Sequence, residues 1–159
     1  MRSTESGFSE RVYLTAAQER ITTANLLLQA EPPDYVMACY AAGVAVECLF
    51  HAYRMRADGP DTARHNVGLH AQLGLFYDGM SREQREAISA LVGEVASRWQ
   101  NNHRYRSTEA LHEFVVAHKL YVVKDQSTTR LDAVQYNAEQ LVEAATAIVT
   151  AGIKRWQRQ

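Results

Sequence analysis

The sequence contains little that would support a disulfide framework or a β-structure. Of its 159 residues, two are cysteines and three are prolines. Two cysteines cannot make a disulfide framework. On one helix, Cys39 and Cys48 would lie about 13 Å and half a revolution apart, so we expect both to be free thiols. Because no hairpin dipeptide separates alternating apolar runs, strand signals are also poor.

The chain also lacks an excess of charge of either sign. It has 17 Lys+Arg against 18 Asp+Glu, a net charge of -1, so nucleic-acid binding would need a local basic patch. The hydrophobic fraction of 47% and the charged fraction of 22% are those of a globular protein, and the length predicts one domain over residues 1–159. No charged-then-apolar leader begins the chain, which predicts a cytoplasmic protein.

The longest apolar stretch runs from Tyr35 to Phe50 and is interrupted only by Glu47. It is shorter than the roughly 20 apolar residues of a membrane span, and a carboxylate is costly in lipid. We therefore expect no membrane association and a buried central helix. In these surroundings Glu47 is expected to be a buried carboxylate paired with Arg or His, and His51, one turn later, is a candidate partner.

Apolar residues recur at helical spacing along most of the chain, which predicts an all-α fold. We expect an antiparallel bundle of four to six helices. Their boundaries come from caps and breaks: a first helix from Ser9 to Pro32-Pro33, a second to about Arg56, a short piece from Val67 to Tyr77, a third from the Ser81–Gln84 capping box to Asn101-Asn102, a fourth from Ser107, and a last from Leu131 to Trp156.

The most unusual segment covers residues 98–106, Arg-Trp-Gln-Asn-Asn-His-Arg-Tyr-Arg. No acidic residue occurs between Val95 and Thr108. Arginine offers a planar fork that matches phosphate, and aromatic rings stack on unpaired bases. The imidazole of His103 titrates near neutrality and can move protons. This combination of residue types favours an RNA site.

Such a group of side chains can hold an RNA phosphate and help a 2′-hydroxyl attack it, a reaction that needs no metal. The alternative interpretation is a solvated turn, whose cations are favoured by the carboxyl end of a helix. In a regular helix Arg98 and His103 would lie about 140° apart. They converge only if the helix ends between them or if two chains each contribute.

The other histidines do not have the spacing of metal ligands. This applies to His65 with His70 and to His112 with His118. There is no glycine-rich phosphate loop and no nucleophile elbow. We therefore expect neither a metal nor a cofactor.

Three stretches, taken in order, resemble the HEPN family (the higher eukaryote and prokaryote nucleotide-binding domain). The first is the Ala-rich stretch 40–49 with Glu47. The second is His65-Asn66-Val67 followed by Leu73. The third is Arg98 with His103 and Tyr105, which reads Arg-x4-His-x-Tyr. The resemblance extends from about residue 10 to residue 155.

The resemblance implies a helical bundle that forms a homodimer. In active relatives the Arg-x4-His motifs of two protomers meet and form a metal-independent endoribonuclease. Carried over by position, His103 would be the acid/base, Arg98 would bind the phosphate and Tyr105 would support the site. The other residues of the segment expected to contact RNA are Trp99, Asn102, Arg104 and Arg106.

The resemblance also implies partners and an alternative function. Some relatives are toxins or defence components, and a nucleotidyltransferase antitoxin modifies the tyrosine that matches Tyr105. The residue after the motif arginine is commonly polar in the family and is Trp99 here. The stretch from His103 to Arg106 is similar to the Arg-Tyr loop of relatives without ribonuclease activity, which bind a nucleotide, RNA or a partner protein.

These hypotheses differ in where the motif side chains should lie. A dimeric ribonuclease predicts Arg98 and His103 exposed in a cleft on a two-fold interface. A non-catalytic binding module allows both to be buried in salt bridges. A third alternative is a bundle that uses its apolar faces only for protein assembly.

Overall fold

In a computed structural model, residues 9–58, 76–121 and 130–158 are described, and within them the chain is helical without a strand. This confirms the predicted all-α bundle. Most of the predicted helical piece from Val67 to Tyr77 lies outside the described residues. The elements are α1 (Glu10–Gln29), α2 (Tyr35–Asp58), α3 (Arg82–Arg98), a 3-10 turn (Asn101–Tyr105), α4 (Thr108–Ala117) and α5 (Arg130–Trp156).

Serine side chains cap three of these helices, as the sequence predicts. The Ser9 hydroxyl accepts a hydrogen bond from the backbone at the start of α1, and Ser107 does the same for α4. At α3 the predicted capping box is complete, since Ser81 Oγ accepts from the Gln84 amide at 3.2 Å and Gln84 Oε1 accepts from the Ser81 amide at 3.0 Å. These short-range bonds satisfy amides that the helices leave free.

Helix α2 is the centre of the core and packs on α1, α5 and the 3-10 turn. At its carboxyl end, the rings of Phe50 and Tyr53 both meet Phe76 edge-on, at 5.3 and 4.9 Å between centroids. Tyr53 also meets Trp156 at 4.9 Å and donates a 2.7 Å hydrogen bond to the Gly152 carbonyl. Because that hydroxyl has a partner, the ring is buried without an unpaired polar atom.

The helix directions match the antiparallel prediction only in part. The start of α1 meets the end of α2, where the rings of Tyr13 and His51 are 5.3 Å apart, so these helices are antiparallel. Asn137 and Cys39 meet near the starts of α5 and α2, at 3.7 Å between Nδ2 and Sγ. Tyr53, near the carboxyl end of α2, bonds Gly152, near the carboxyl end of α5. Helices α2 and α5 therefore run parallel. The helices between α2 and α5 return the chain to the end of the bundle where α2 begins.

The structure bears on two expectations about α2. The helix is long and apolar enough to span a membrane by length and composition, so the shortness of its apolar stretch does not exclude a span. Most of that stretch is buried inside the chain.

The predicted pair of Glu47 with His51 forms, with His51 Nε2 3.9 Å from Glu47 Oε1, but the Glu47 side chain is 39% exposed. The prediction of a buried carboxylate is wrong, because desolvating a charge is costly and the side chain keeps contact with solvent.

Both cysteines are free thiols, as predicted. Burial raises the pKa of Cys39 to about 12 and the pKa of Cys48 to about 11. Neither sulfur is a thiolate at neutral pH, so neither is an activated nucleophile.

The indole of Trp99, which follows α3, packs directly against the backbone of Gly43 in α2. A Cβ atom at position 43 would overlap the indole ring, whereas a Cβ at Gly93 of α3 would meet nothing within 4 Å. The contact of α2 with Trp99 therefore requires glycine, which has no side chain, at position 43.

This contrast predicts opposite effects of one methyl group. Gly43→Ala should lower the free energy of unfolding by about 1–3 kcal/mol because the core is overpacked. Gly93→Ala should raise it by about 0.5–1 kcal/mol, because alanine is the better helix former. Urea unfolding followed by circular dichroism measures both. A Gly43→Ala variant as stable as the wild type would contradict the packing.

Candidate functional site

The segment 98–106 leaves α3 earlier than predicted and folds back onto the bundle. Helix α3 ends at Arg98, three residues before Asn101, because Trp99 and Gln100 have extended backbones. The 3-10 turn follows, and Gln100 Oε1 accepts a 3.1 Å hydrogen bond from Arg106 Nη2 that closes the loop. The segment is thus a short closed loop held against the helices.

Arg98 is buried, with only 7% of its surface exposed. Its Nε donates to Glu94 Oε2 at 2.8 Å. Its Nη1 donates to the Leu120 carbonyl and to Asn137 Oδ1, each at 3.1 Å. The guanidinium carbon also lies 5.7 Å from the centre of the Tyr136 ring. The charge of Arg98 is therefore satisfied by α3, the chain after α4, and α5.

His103 is fully buried in the 3-10 turn, with 0% of its surface exposed. Its Nδ1 lies 3.5 Å from the Gln100 amide, which donates to it, and its ring meets Phe114 edge-on at 4.9 Å. Burial, with a smaller effect from the Arg106 charge, lowers the pKa of His103 to about 4. The imidazole is therefore neutral at pH 7 and out of reach of solvent.

The structure does not bring Arg98 and His103 together around one cleft. The helix ends between them, as convergence requires, but their contacts share no residue: Arg98 bonds toward α5 and His103 packs on α4. Among the described residues, the cleft that Arg98 lines does not include His103, which is fully buried, so the two side chains do not share an exposed cleft in the single chain. Burial with satisfied charges is the arrangement that the non-catalytic hypothesis allows.

Three other predicted site residues of the segment face solvent. Tyr105 is 77% exposed, and Asn102 and Arg104 are exposed on the same turn. The Arg104 guanidinium carbon lies 4.7 Å from the centre of the Tyr105 ring. A side-chain hydrogen bond with Tyr40 of α2 raises the pKa of Arg104. We call this surface, made of Tyr40, Asn102, Arg104 and Tyr105, the Arg-Tyr face.

Trp99 and Arg106, also predicted to contact RNA, are partly buried and help to hold the turn. Trp99 packs on the core. Arg106 donates from Nη1 to the Ala110 carbonyl at 3.2 Å, and its guanidinium carbon lies 4.8 Å from the centre of the Phe114 ring. Both side chains are engaged with their own chain, which leaves them little surface for a ligand.

The fold leaves polar atoms of this segment without partners. Within the described residues, Trp99 Nε1, His103 Nε2 and Arg106 Nε are buried and form no hydrogen bond. Such atoms number only a few per 100 residues in native proteins, yet three occur between positions 99 and 106. Hydrogen bonds within the described chain therefore do not explain why these three polar atoms are buried.

Two contributors to the site were not predicted from the sequence. Asn137 is fully buried and accepts a hydrogen bond from Arg98. The sequence feature that could have indicated it is its place on the apolar face of α5, one turn after Val134. Tyr40 gave no local signal, because it reaches Arg104 only through the packing of α2 on the turn. The ion pair of Glu94 with Arg98, in contrast, follows the i,i+4 spacing of a helix.

In the ranges 9–58, 76–121 and 130–158, no group of three His, Cys, Asp or Glu side chains could hold a metal ion. His65 and His70, whose spacing does not suit metal ligands, lie outside the described residues. His112 is partly buried and His118 is exposed on α4, where His118 Nδ1 lies 2.9 Å from the Phe114 carbonyl oxygen.

Comparison with protein-family models, with curated proteins and with solved structures finds no match for this chain. The HEPN resemblance therefore depends on the motifs of the sequence alone.

The burial of His103 predicts a specific pH dependence of stability. Its pKa is about 4 in the folded chain against 6.5 when free, so the unfolded chain binds the proton first as the pH falls. Stability is complete above pH 6.5 and is lost between about pH 6.5 and 4, by about 3 kcal/mol. His103→Gln should remove this part of the loss.

Urea unfolding of both proteins at several pH values between 4 and 8.5 measures the effect. The difference between wild type and His103→Gln should be constant above pH 7.5 and should change below pH 6.5. Parallel curves over the whole range would contradict a buried, neutral His103.

Proposed function

We propose that this chain is a HEPN-type helical module that binds single-stranded RNA through its Arg-Tyr face without cleaving it. The observation that carries the proposal is the division within segment 98–106. Arg98 and His103 are buried, whereas Arg104 and Tyr105 project together into solvent, with Tyr40 beside Arg104. The accessible chemistry is that of binding, and the groups needed for proton transfer are enclosed.

The Arg-Tyr face suits an unpaired nucleotide. Arg104 presents a planar guanidinium that can bond a phosphate with two parallel hydrogen bonds. Tyr105, 77% exposed, offers a ring on which one base can stack, and stacking of this kind tolerates every base. Since the net charge of the chain is -1, few phosphates are expected to be contacted, and affinity should depend on salt only moderately.

In this proposal the buried residues position the exposed ones. The His103 ring packs on Phe114, and Arg106 closes the loop by bonding Gln100. Arg98 fixes the end of α3 against Asn137 of α5. Arg104 and Tyr105 are therefore presented on a short turn with both ends anchored, which lowers the entropy cost of binding.

The ribonuclease hypothesis is the second candidate, and the complete Arg-x4-His-x-Tyr spacing of Arg98, His103 and Tyr105 favours it. It requires a homodimer in which His103 becomes accessible to an RNA phosphate. As a toxin or defence component, such an enzyme would be paired with a nucleotidyltransferase antitoxin. The exposure of Tyr105 suits the modification that this partner would make.

RNA binding can be tested with variants of the Arg-Tyr face. Tyr105→Ala should weaken binding of a fluorescently labelled single-stranded RNA about tenfold, because a base loses its stacking partner. Arg104→Ala should weaken it as well and reduce the dependence of log affinity on log salt by about 0.7, the value for one phosphate of a single strand. Fluorescence anisotropy at several salt concentrations measures both effects.

The matched control is Arg82→Ala. Arg82 is an exposed arginine, 88% accessible and paired with Glu86, about 24 Å from Arg98 along α3. It should leave RNA binding unchanged. Equal losses from the Arg82 and Arg104 variants would show only a general effect of charge and would contradict the site.

Cleavage is tested separately. The wild type and His103→Ala are incubated with RNA in the presence of a chelator, and the oligomeric state is measured by light scattering. We expect no His103-dependent cleavage, because the imidazole is enclosed. Chelator-resistant cleavage that His103→Ala abolishes, together with a dimer at micromolar concentration, would overturn the non-catalytic proposal in favour of the composite nuclease.

A further inference from the structure

A cleft lies at the opposite end of α3 from the Arg-Tyr face. It has a volume of about 740 Å³ and is formed where the start of α3 meets the carboxyl end of α5 and the chain around Gly79. Pockets for small organic ligands occupy about 300–1,000 Å³, so the cleft is of that size. The start and end of α3 are about 24 Å apart, which makes this surface separate from the Arg-Tyr face.

One wall of the cleft is positively charged. Lys154, Arg155 and Arg158 line it, and Asp78 is the only carboxylate among its described lining residues. Lys154 and Arg158 are exposed. In the part of the chain that the structure describes, none of the three cations forms an ion pair. Three like charges within five residues repel one another, and a bound anion would relieve that repulsion.

The Arg155 guanidinium is held in place at the edge of the cleft. Its Nη1 donates a 3.1 Å hydrogen bond to the Phe76 carbonyl. Its Nη2 passes beside Gly79, 3.3 Å from where a Cβ would lie, and Gly79 has a φ of +73° that disfavours a side chain. One positive group of the wall is therefore ordered before any ligand arrives, which reduces the entropy cost of binding.

The floor of the cleft is aliphatic. Met80, Ile88 and Ala151 line it beside the cations, and no aromatic ring does so among the described lining residues. A flat base would find no stacking partner there. An alkyl chain would gain about 0.8 kcal/mol for each methylene that it buries.

From these contacts we propose that the cleft binds a small amphiphile that has an anionic phosphate headgroup and a short alkyl chain. Lys154, Arg155 and Arg158 contact the headgroup, and Met80, Ile88 and Ala151 contact the chain. Cations near the carboxyl end of a helix are also favoured by its dipole, but the dipole does not require a ligand-sized cleft with an aliphatic floor beside them.

The proposal is tested by isothermal titration of the full chain with octyl phosphate, kept below its micelle concentration, and with inorganic phosphate. Octyl phosphate should bind at least about tenfold more tightly than inorganic phosphate, because several methylenes are buried. The double variant Lys154→Glu/Arg158→Glu should lose at least about tenfold in affinity for octyl phosphate. Ala151→Met, which fills the floor, should remove the preference for the alkyl chain.

A control variant shows whether binding is specific to this cleft. Arg11→Glu reverses an exposed cation on α1 and should leave octyl phosphate binding unchanged. Equal affinities for octyl phosphate and inorganic phosphate would overturn the proposal, as would insensitivity to the double variant. Binding only to anionic lipid vesicles would also overturn it, since that result would indicate attraction to a charged surface.

Discussion

The contact between the indole of Trp99 and the bare backbone of Gly43 determines how the rest of the candidate site is arranged. A side chain at position 43 would overlap the indole, so this approach is available only to glycine. Trp99 leaves the helical conformation directly after Arg98, and the chain then makes its 3-10 turn over α2. Of the side chains that follow, His103 lies in the interior, whereas Arg104 and Tyr105 lie in solvent.

A second constraint comes from the buried charge of Arg98. A buried guanidinium is tolerated only when its donors are bonded, and Glu94, the Leu120 carbonyl and Asn137 supply the acceptors. These bonds connect α3 to α5 and to the chain that follows α4. Arg98 is thus bonded by its own chain, and the functional proposal uses its exposed neighbours Arg104 and Tyr105.

The distribution of charge connects the two proposed binding surfaces. The whole chain is almost neutral, so a nucleic acid or an anion has no general reason to approach it. The two proposals instead use positive groups near the two ends of α3, at Arg104 beside Tyr105 and at the Lys154–Arg158 wall. One surface has aromatic side chains beside its cation and the other has aliphatic ones, so the ligands proposed for the two surfaces differ.

Signals between residues a few positions apart were sufficient to predict the helices that the structure describes. The caps at Ser9, Ser81 and Ser107 depend on bonds across three residues, and the apolar spacing of α2 marked it as the core helix. The unusual composition of segment 98–106 also marked the candidate site.

The burial of the site was decided by contacts between residues far apart in the chain. Arg98 meets Asn137 across 39 positions, and Asn137 meets Cys39 across 98. No local pattern encodes such pairs, because they exist only after the helices have packed. For the same reason the parallel direction of α2 and α5, the enclosure of His103 and the contact of Tyr40 with Arg104 became visible only in the tertiary structure.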